Sequence, residues 1–377
     1  MHPYNSAPIV REQGGVVPDR LLSFWLGFQR IGGIGGARIG LLERAFGNLD
    51  IAWHASAHDL MHAGLPASIA ATVVRERSRI DLDAELELLE RHEIQVIRMS
   101  DAAYPAALKE IHAPPSGLFV QGALLPADDL AVAVVGTRRA TAYGKDMTRR
   151  FSHDLAEAGV TVISGLALGV DTIAHAAALD AGGRTLAVCG CGLDQIYPPS
   201  NRRLAERIRE QGALISEYPP GVGPSAQHFP ARNRIVSGMS RGVLVVEAPA
   251  SSGALITSAL AADQGRDVYA VPGSALSKMS DGCHALIRTG AMLVTSAADI
   301  LDVLVVEHVR EQHQMRMEFP LAPDERRMLN LIGAVPRHVD DLADESGMQI
   351  NVAAATLLTL ELKGMVRQSG PQLYVQR

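Results

Sequence analysis

Residues 131–144 read AVAVVGTRRATAYG, a short apolar run that ends in glycine, threonine and two arginines. An apolar run of this length, closed by glycine, is typical of a strand buried on both faces of a parallel sheet. We predict six such strands, at Val132–Val135, Val160–Ile163, Thr185–Val188, Ala213–Ile215, Val243–Val246 and Val268–Val271. Amphipathic helices are predicted between them, at Tyr143–Ala158, Asp171–Ala181, Asn201–Gln211 and Gly253–Gln264. This alternation indicates an α/β fold with a doubly wound parallel sheet.

The two flanks of this region have a different periodicity. From Leu21 to about Glu93 the apolar residues have helical spacing, which predicts an all-α domain over residues 18–93. After Pro320, three short helices and a hairpin indicate a winged helix-turn-helix domain over residues 320–377. The remaining predicted boundaries are a flexible arm over 1–17, the sheet domain over 94–300 and a linker over 301–319.

The composition excludes several classes of protein. Hydrophobic residues make up 47% of the 377 residues, yet the chain has no apolar stretch long enough to span a membrane and no secretory core near Met1. Three cysteines are too few and too irregularly spaced for a disulfide framework or a closed zinc site. We therefore expect a cytoplasmic protein without membrane contact, metal or cofactor.

The net charge of −6 hides an asymmetry along the chain. Residues 131–300 hold 16 of the 35 Lys and Arg residues but only 14 of the 41 Asp and Glu residues. The predicted sheet domain is therefore the part of the chain that can attract a polyanion.

The first strand is followed by Gly136, Thr137, Arg138 and Arg139. In an open parallel sheet, ligands bind outside the carboxyl ends of the strands. Glycine allows close approach to a phosphate, the next helix begins with free N–H groups, and the arginines add positive charge. The alternative is a tight turn with solvated arginines. The stretch is not a GxGxxG motif, which disfavours dinucleotide oxidoreductase chemistry.

The second strand is followed by Ser164 and Gly165, and then by Asp171 and His175. Asp171 and His175 are four residues apart and share one helix face. A metal pair is one interpretation. The favoured interpretation is that Asp171 bonds free amides at the helix start and that His175 is a packed, hydrogen-bonded histidine.

Phe229, Arg232, Asn233 and Arg234 precede an apolar helical segment. Two arginines beside an amide and an aromatic ring suit phosphate binding combined with base stacking. The alternative is a helix N-terminus with solvated charges. Glu247, after a further strand, is a candidate general base, a ribose ligand or an ion-pair partner of Arg232 or Arg234.

Taken together and in order, these strand ends resemble the DNA-processing protein A family (DprA, also called Smf) over about residues 95–300. The matching segments are Tyr104-Pro105 to Leu108, Pro114-Pro115, Val135 to Gly144, Ser164 to Ala167 with Gly169, Asp171 and His175, Gly190 to Asp194 with Tyr197-Pro198 and Asn201, Phe229 to Ile235, Ser252-Gly253 to Thr257, and Gly265 to Val268 through Pro272-Gly273.

The resemblance implies an extended Rossmann-like domain that binds single-stranded DNA, forms a homodimer and loads the RecA recombinase during natural transformation. It implies no enzymatic activity, a sterile-alpha-motif-like helical domain in front of the sheet and a winged helix behind it. The family's DNA pocket corresponds to Gly136, Thr137, Arg138, Ser164, Gly165, Phe229, Arg232, Asn233 and Arg234. The Gly136 and Gly165 loops are expected to supply backbone N–H groups.

Two segments depart from the family's pattern. Gly282-Cys283-His284 stands where many members have Gly-x-Asn, which weakens any pocket role for that segment. The presumptive recognition helix Asn351–Leu362 has no Lys or Arg, and residues 320–377 hold six basic against seven acidic residues. A helix that reads a DNA groove needs such donors, so we expect this domain mainly to contact protein.

Two other functions are compatible with the same strand ends. One is a phosphoribohydrolase-like enzyme with Glu247 as acid or base, although residues 251–257 lack the glycines and glutamate of that family's Pro-Gly-Gly-x-Gly-Thr-x-x-Glu run. The other is a regulator that binds a free nucleotide and signals through the winged helix.

Overall fold

The computed structural model describes residues 20–304, 322–333, 336–363, 365–370 and 372–376. These residues form two compact units that meet in sequence between Asp299 and Ile300. The predicted arm over 1–17 lies outside the described residues, as do residues 305–319 of the predicted linker. Residues 301–304 of the predicted linker instead continue a helix that begins at residue 297.

A nine-stranded mixed sheet forms the centre of the first unit, in the order β1-β2-β6-β5-β4-β3-β7-β8-β9. The strands are β1 Gln95–Arg98, β2 Gly117–Gly122, β3 Ala131–Val135, β4 Thr161–Ser164, β5 Thr185–Cys189, β6 Ala213–Ser216, β7 Gly242–Val245, β8 Asp267–Ala270 and β9 Met292–Leu293. Strands β3 to β9 are parallel to one another, whereas β1 and β2 are antiparallel additions at one edge. The predicted doubly wound α/β fold is confirmed.

The six predicted strands differ from the observed ones by at most one residue at either end. Strands β1, β2 and β9 were not predicted. Only a short helix separates β1 from β2, so the strand–helix alternation that marks the others is missing there, and β9 has only two residues, too few to show a periodicity. The helices of this sheet region are α7 Ala106–Lys109, α8 Ala142–Glu157, α9 Val170–Asp180, α10 Arg202–Gln211, α11 His228–Gly238, α12 Ala254–Asp263 and α13 Asp281–Arg288.

The strand order places a crevice between β3 and β7. The chain leaves β3 towards β4 on one side and leaves β7 towards β8 on the other, so the two connections diverge above the carboxyl ends of these neighbouring strands. Such a switch point is where open α/β sheets bind ligands, because the diverging loops leave space there.

From residue 20 onward, where the description of the chain begins, six α-helices precede the sheet and pack against one of its faces. They are α1 Arg20–Arg30, α2 Gly36–Phe46, α3 Leu49–His54, α4 Ala57–His62, α5 Ala67–Glu76 and α6 Leu82–Arg91. The fully buried Trp25 of α1 contacts Phe119 of β2, with ring centroids 5.6 Å apart, and both belong to one continuous apolar core. The helical region and the sheet therefore fold as parts of the same compact unit.

The second unit is a winged helix, as predicted. Its elements are α14 Pro323–Leu331, β10 Arg337–His338, α15 Val339–Ser346, α16 Ile350–Leu362, β11 Val366–Gly370 and β12 Leu373–Gln376, and its strand order is β10-β12-β11. The Lys363 ammonium forms an ion pair with Glu325 in the first turn of α14, with Nζ 2.6 Å from Oε2. Among the residues that the structure describes, no helix has the length and apolar character needed to cross a membrane.

Candidate nucleic-acid interface

A cavity of about 720 Å³ opens at the carboxyl ends of β3, β4 and β7, at the switch point of the sheet. Eight of the ten predicted site residues line it, although they come from three separate segments of the chain. They are Gly136, Thr137, Arg138, Arg139, Gly165, Phe229, Arg232 and Asn233. The cavity walls also include Tyr197, Ser252 and Ile256, which the sequence did not indicate as site residues.

The structure places Ser164 and Arg234 away from the cavity. Ser164 is fully buried at the end of β4, and its hydroxyl donates to the Val134 carbonyl at 2.7 Å. Arg234 follows the lining residue Asn233 in α11 but does not line the cavity; its Nη1 donates to Glu217 at 2.9 Å and its Nε to the Ala113 carbonyl at 3.0 Å. Both side chains therefore hold neighbouring segments together.

One wall of the cavity contains two neighbouring aromatic rings, with a cation over one of them. The Arg138 guanidinium lies 5.7 Å from the centroid of the Phe229 ring, and the Tyr197 ring lies 5.6 Å from the same ring at an angle of 33°. Gly190 allows this arrangement, because a Cβ atom there would come within 3.0 Å of the Phe229 ring. Arg138 is exposed, so its charge and the aromatic faces are available to the same ligand.

The segment that carries Phe229 is helical. Phe229, Arg232 and Asn233 belong to the first two turns of α11, whereas the sequence suggested a stretch preceding the helix. The spacing of three between Phe229 and Arg232 places both on one side of α11, facing the strand ends. The position of Tyr197 after the third predicted strand is a sequence signal for a site residue. Its contact with Phe229, 32 residues further along the chain, is visible only in the folded structure.

Arg232 is buried, with 4% of its surface exposed. Its Nη1 donates to the Gly165 carbonyl at 2.6 Å and also to the Val188 carbonyl, and its Nε donates to Asn233 Oδ1 at 3.2 Å. Burial lowers the pKa of the guanidinium, and the Asp171 carboxylate opposes this effect. The side chain thus joins the ends of β4 and β5 beneath the cavity floor.

The backbone amides of the two glycine loops are largely used within the protein. Asp171 Oδ2 accepts from the Gly165 amide at 3.1 Å and from the Ala167 amide at 3.2 Å. The Thr137 amide donates to the Glu247 carbonyl at 2.7 Å. Asp171 therefore bonds free amides as predicted, but these amides belong to the loop before α9 and not to the start of the helix. Because Asp171 occupies the Gly165 amide, this loop does not offer a ligand the N–H group that was expected.

Glu247 faces away from the cavity. Its carboxylate accepts from the Thr141 amide at 2.8 Å and from the Thr141 hydroxyl at 2.7 Å, and 3% of the residue is exposed. A Cβ atom on Gly144 would come within 2.2 Å of Glu247 Oε2, so the carboxylate lies directly under the first turn of α8. Glu247 fixes the start of a helix and pairs with neither Arg232 nor Arg234.

His175 is packed in the core beside the site. It is fully buried, and its Nδ1 lies 2.6 Å from the Thr185 hydroxyl. Burial, assisted by the Arg232 charge, lowers the pKa of His175 to about 3. The imidazole is therefore neutral at physiological pH, which agrees with a structural histidine.

This burial gives the protein a specific sensitivity to acid. Between the ordinary pKa of 6.5 and the folded-state pKa of about 3, the unfolded chain binds a proton that the folded chain excludes. We therefore expect His175 to make the free energy of unfolding fall by about 1.4 kcal/mol for each unit that the pH drops below about 6.5.

The variant His175→Leu tests this expectation in urea unfolding at about pH 7 and about pH 5. The Thr185 hydroxyl donates to the Val162 carbonyl at 2.7 Å, a bond that does not involve His175, so the substitution should leave no buried hydroxyl proton without an acceptor. The wild-type protein should lose more stability than His175→Leu between the two pH values. Equal losses would contradict the assignment of a buried neutral imidazole.

Comparison with known proteins agrees with this geometry. Residues 95–305 match the family model of the DNA recombination-mediator protein A, and residues 313–370 match that of the DprA winged helix domain. Protein Smf of Synechocystis is 33% identical over 392 residues, which cover 94% of this chain and 98% of the relative.

Two solved structures have the same fold. DNA processing protein A of Streptococcus pneumoniae has a TM-score of 0.66 at 39% identity, covering 74% of this chain and 97% of that one. DNA processing protein A of Helicobacter pylori, described for its single-stranded DNA binding mode, has a TM-score of 0.52 at 31% identity, covering 57% and 98%. The switch-point cavity, the winged helix and these similarities along nearly the whole chain lead to one conclusion: the protein belongs to the DNA recombination-mediator protein A (DprA/Smf) family of DNA-processing proteins.

Proposed function

We propose that the protein binds single-stranded DNA in the cytoplasm without strong sequence preference and delivers it to the RecA recombinase, as in natural transformation. The observation that carries this proposal is the exposed Arg138 guanidinium above the Phe229 ring inside the switch-point cavity. The Helicobacter pylori relative, whose structure is described for single-stranded DNA binding, supports the choice of ligand.

The cavity offers the two kinds of contact that a single strand requires. Arg138 and Arg139 are exposed cations at the cavity mouth and take phosphates. Phe229 and Tyr197 provide faces on which bases stack, and stacking tolerates any base because every base has a π-face. Asn233 adds an amide to the wall. In this proposal Arg232 does not contact the DNA and instead supports the cavity floor.

The protein acts in this proposal by binding and not by catalysis. The acid–base residue of the hydrolase alternative, Glu247, is occupied by Thr141 and does not line the cavity. A regulator that binds a free nucleotide would use the same arginines, and the length of the bound strand distinguishes it from the proposed function. Such a regulator would bind mononucleotides as tightly as oligonucleotides.

A homodimer through the sheet domain is part of the proposal. Strand β9 is the last strand of the sheet and consists of two residues, Met292 and Leu293, which are 41% and 47% exposed. These exposed apolar side chains at the edge of the sheet are suited to contact with a second copy of the chain.

We further propose that the winged-helix unit contacts protein. Helix α16 exposes Ile350, Val352 and Leu358 and carries no Lys or Arg. The absence of Lys and Arg disfavours groove reading, because base edges are read by such donors, and the exposed apolar side chains suit a contact with protein.

The proposed function is tested by equilibrium binding of fluorescent oligo-dT over a salt series. For single strands the log–log slope is about −0.7 per phosphate neutralised, so Arg138→Ala/Arg139→Ala should flatten it by about 1.4. The matched control is Arg149→Ala/Arg150→Ala, which removes the same charge from exposed positions of α8.

Arg234→Ala serves as a second control, since Arg234 pairs with Glu217 outside the cavity. Its salt slope should equal that of the wild-type protein. The DNA assignment fails if the protein does not bind oligo-dT at low salt. The assignment to this cavity fails if the Arg149/Arg150 pair flattens the slope as much as the Arg138/Arg139 pair.

A further inference from the structure

A second cavity, of about 510 Å³, adjoins the first one. Tyr197 and Pro224 line both cavities, so they form the threshold between them. Tyr197 is 45% exposed, and its ring is already inclined towards Phe229 in the first cavity. A strand that leaves the first cavity over Phe229 therefore meets the Tyr197 ring next and the second cavity after it.

Most polar groups of the second cavity are bonded within the protein. The Gln121 amide donates to the His92 carbonyl at 2.6 Å, and the Gln195 amide donates to the Val222 carbonyl at 3.1 Å. Asp194 Oδ1 accepts from the Gly221 amide at 2.8 Å. These contacts shape the walls but leave few donors for a ligand.

Two arginines of α10 are the exception. Arg202 and Arg209 line the second cavity, both are exposed, and neither has an ion pair within the part of the chain that the structure describes. They are seven residues apart on one helix face, which separates them by about 10 Å along the axis. Glu206 lies between them on the same face and opposes their charge.

We propose that the bound single strand continues past Tyr197 into this second cavity. A base stacks on Tyr197 at the threshold, and phosphates contact Arg202 and Arg209 along α10. This extension rests on the proposed function of the first cavity, and it assigns the second cavity to the same polyanionic ligand. It makes α10 a wall of the DNA path, with a longer binding site than the switch-point cavity alone provides.

A length series of oligo-dT from about 4 to about 16 nucleotides separates the two cavities. The shortest oligonucleotides that bind occupy the first cavity, and longer ones gain affinity from the second. In Arg202→Ala/Arg209→Ala, binding of the longest oligonucleotide should weaken on the order of tenfold or more. Its salt slope should flatten by about 1.4, while binding of the shortest oligonucleotide stays unchanged.

Two further variants sharpen the test. Arg203→Ala/Arg207→Ala removes the same charge from positions of α10 that do not line the cavity, so it should leave the length dependence unchanged. Glu206→Gln removes the opposing carboxylate and should strengthen binding of the longest oligonucleotide only.

The outcomes distinguish this extension from the proposed function itself. Absence of binding at every length and low salt would overturn both. If all lengths bind but Arg202→Ala/Arg209→Ala follows the wild-type length dependence, the extension is wrong and the first cavity remains the site. If that variant weakens every length equally, the arginines act at long range and the second cavity does not hold the strand.

Discussion

Arg232→Ala is expected to lower the free energy of unfolding by about 3 kcal/mol or more and, at the same time, to abolish DNA binding. The guanidinium is buried and donates to the Gly165 and Val188 carbonyls at the ends of β4 and β5. Its removal leaves these acceptors without their donor and leaves a void under the cavity floor. The Gly165 loop should then shift, and the cavity lose its shape.

Urea unfolding and oligo-dT binding of the same variants test this expectation. Arg232→Lys keeps the charge but loses the Nε donor to Asn233 Oδ1 and the length of the guanidinium side chain, so it should recover only part of the stability. Arg138→Ala should show the opposite combination, with weakened binding and unchanged stability, because Arg138 is exposed. An Arg232→Ala variant that is as stable as the wild-type protein would contradict the structural role assigned to the guanidinium.

Gly169→Ala should be nearly as damaging, with a loss of about 3 kcal/mol or more in the free energy of unfolding. Gly169 precedes α9 with φ 80° and ψ −122°, a conformation available essentially to glycine alone. A Cβ atom there would come within 2.4 Å of the Thr137 carbonyl oxygen and 2.7 Å of that of Arg138. The substitution therefore pushes the two loops of the cavity apart.

Gly182→Ala is the matched control at the other end of α9. Gly182 also has a positive φ, of 73°, but no atom lies within 4 Å of its Cβ position. Only the backbone strain remains, so we expect a loss of about 1 kcal/mol and unchanged oligo-dT binding. Thermal or urea unfolding of both variants, followed by DNA binding, measures the difference. Equal losses at the two positions would contradict the close approach of the Gly169 and Thr137 loops.

Strands β3 to β8 were predictable because the signal for each is local. A strand buried on both faces must be apolar throughout, and the helix that follows must be amphipathic, so both appear in consecutive residues. The antiparallel strands β1 and β2 were not predicted. Their place at the edge of the sheet depends on pairing between residues far apart in sequence, such as that of β2 with β6.

The candidate site was predictable in part for a related reason. Carboxyl ends of parallel strands meet at one edge, so Gly136, Gly165 and the α11 motif were expected to converge, and eight of the ten predicted residues line one cavity. Tyr197 and the second cavity were not foreseen, because the threshold depends on where the segment between β5 and α10 lies against α11.

By itself, the sequence determined the doubly wound sheet, the winged helix and the edge at which the candidate site lies, through local periodicity and the rule that parallel strand ends meet. The tertiary structure alone decided the roles of chemically identical side chains. Arg138 is exposed above Phe229, Arg232 is buried between β4 and β5, and Arg234 is paired with Glu217. Whether a guanidinium is free depends on which distant carbonyls and carboxylates surround it, and packing brings these together only in the folded chain.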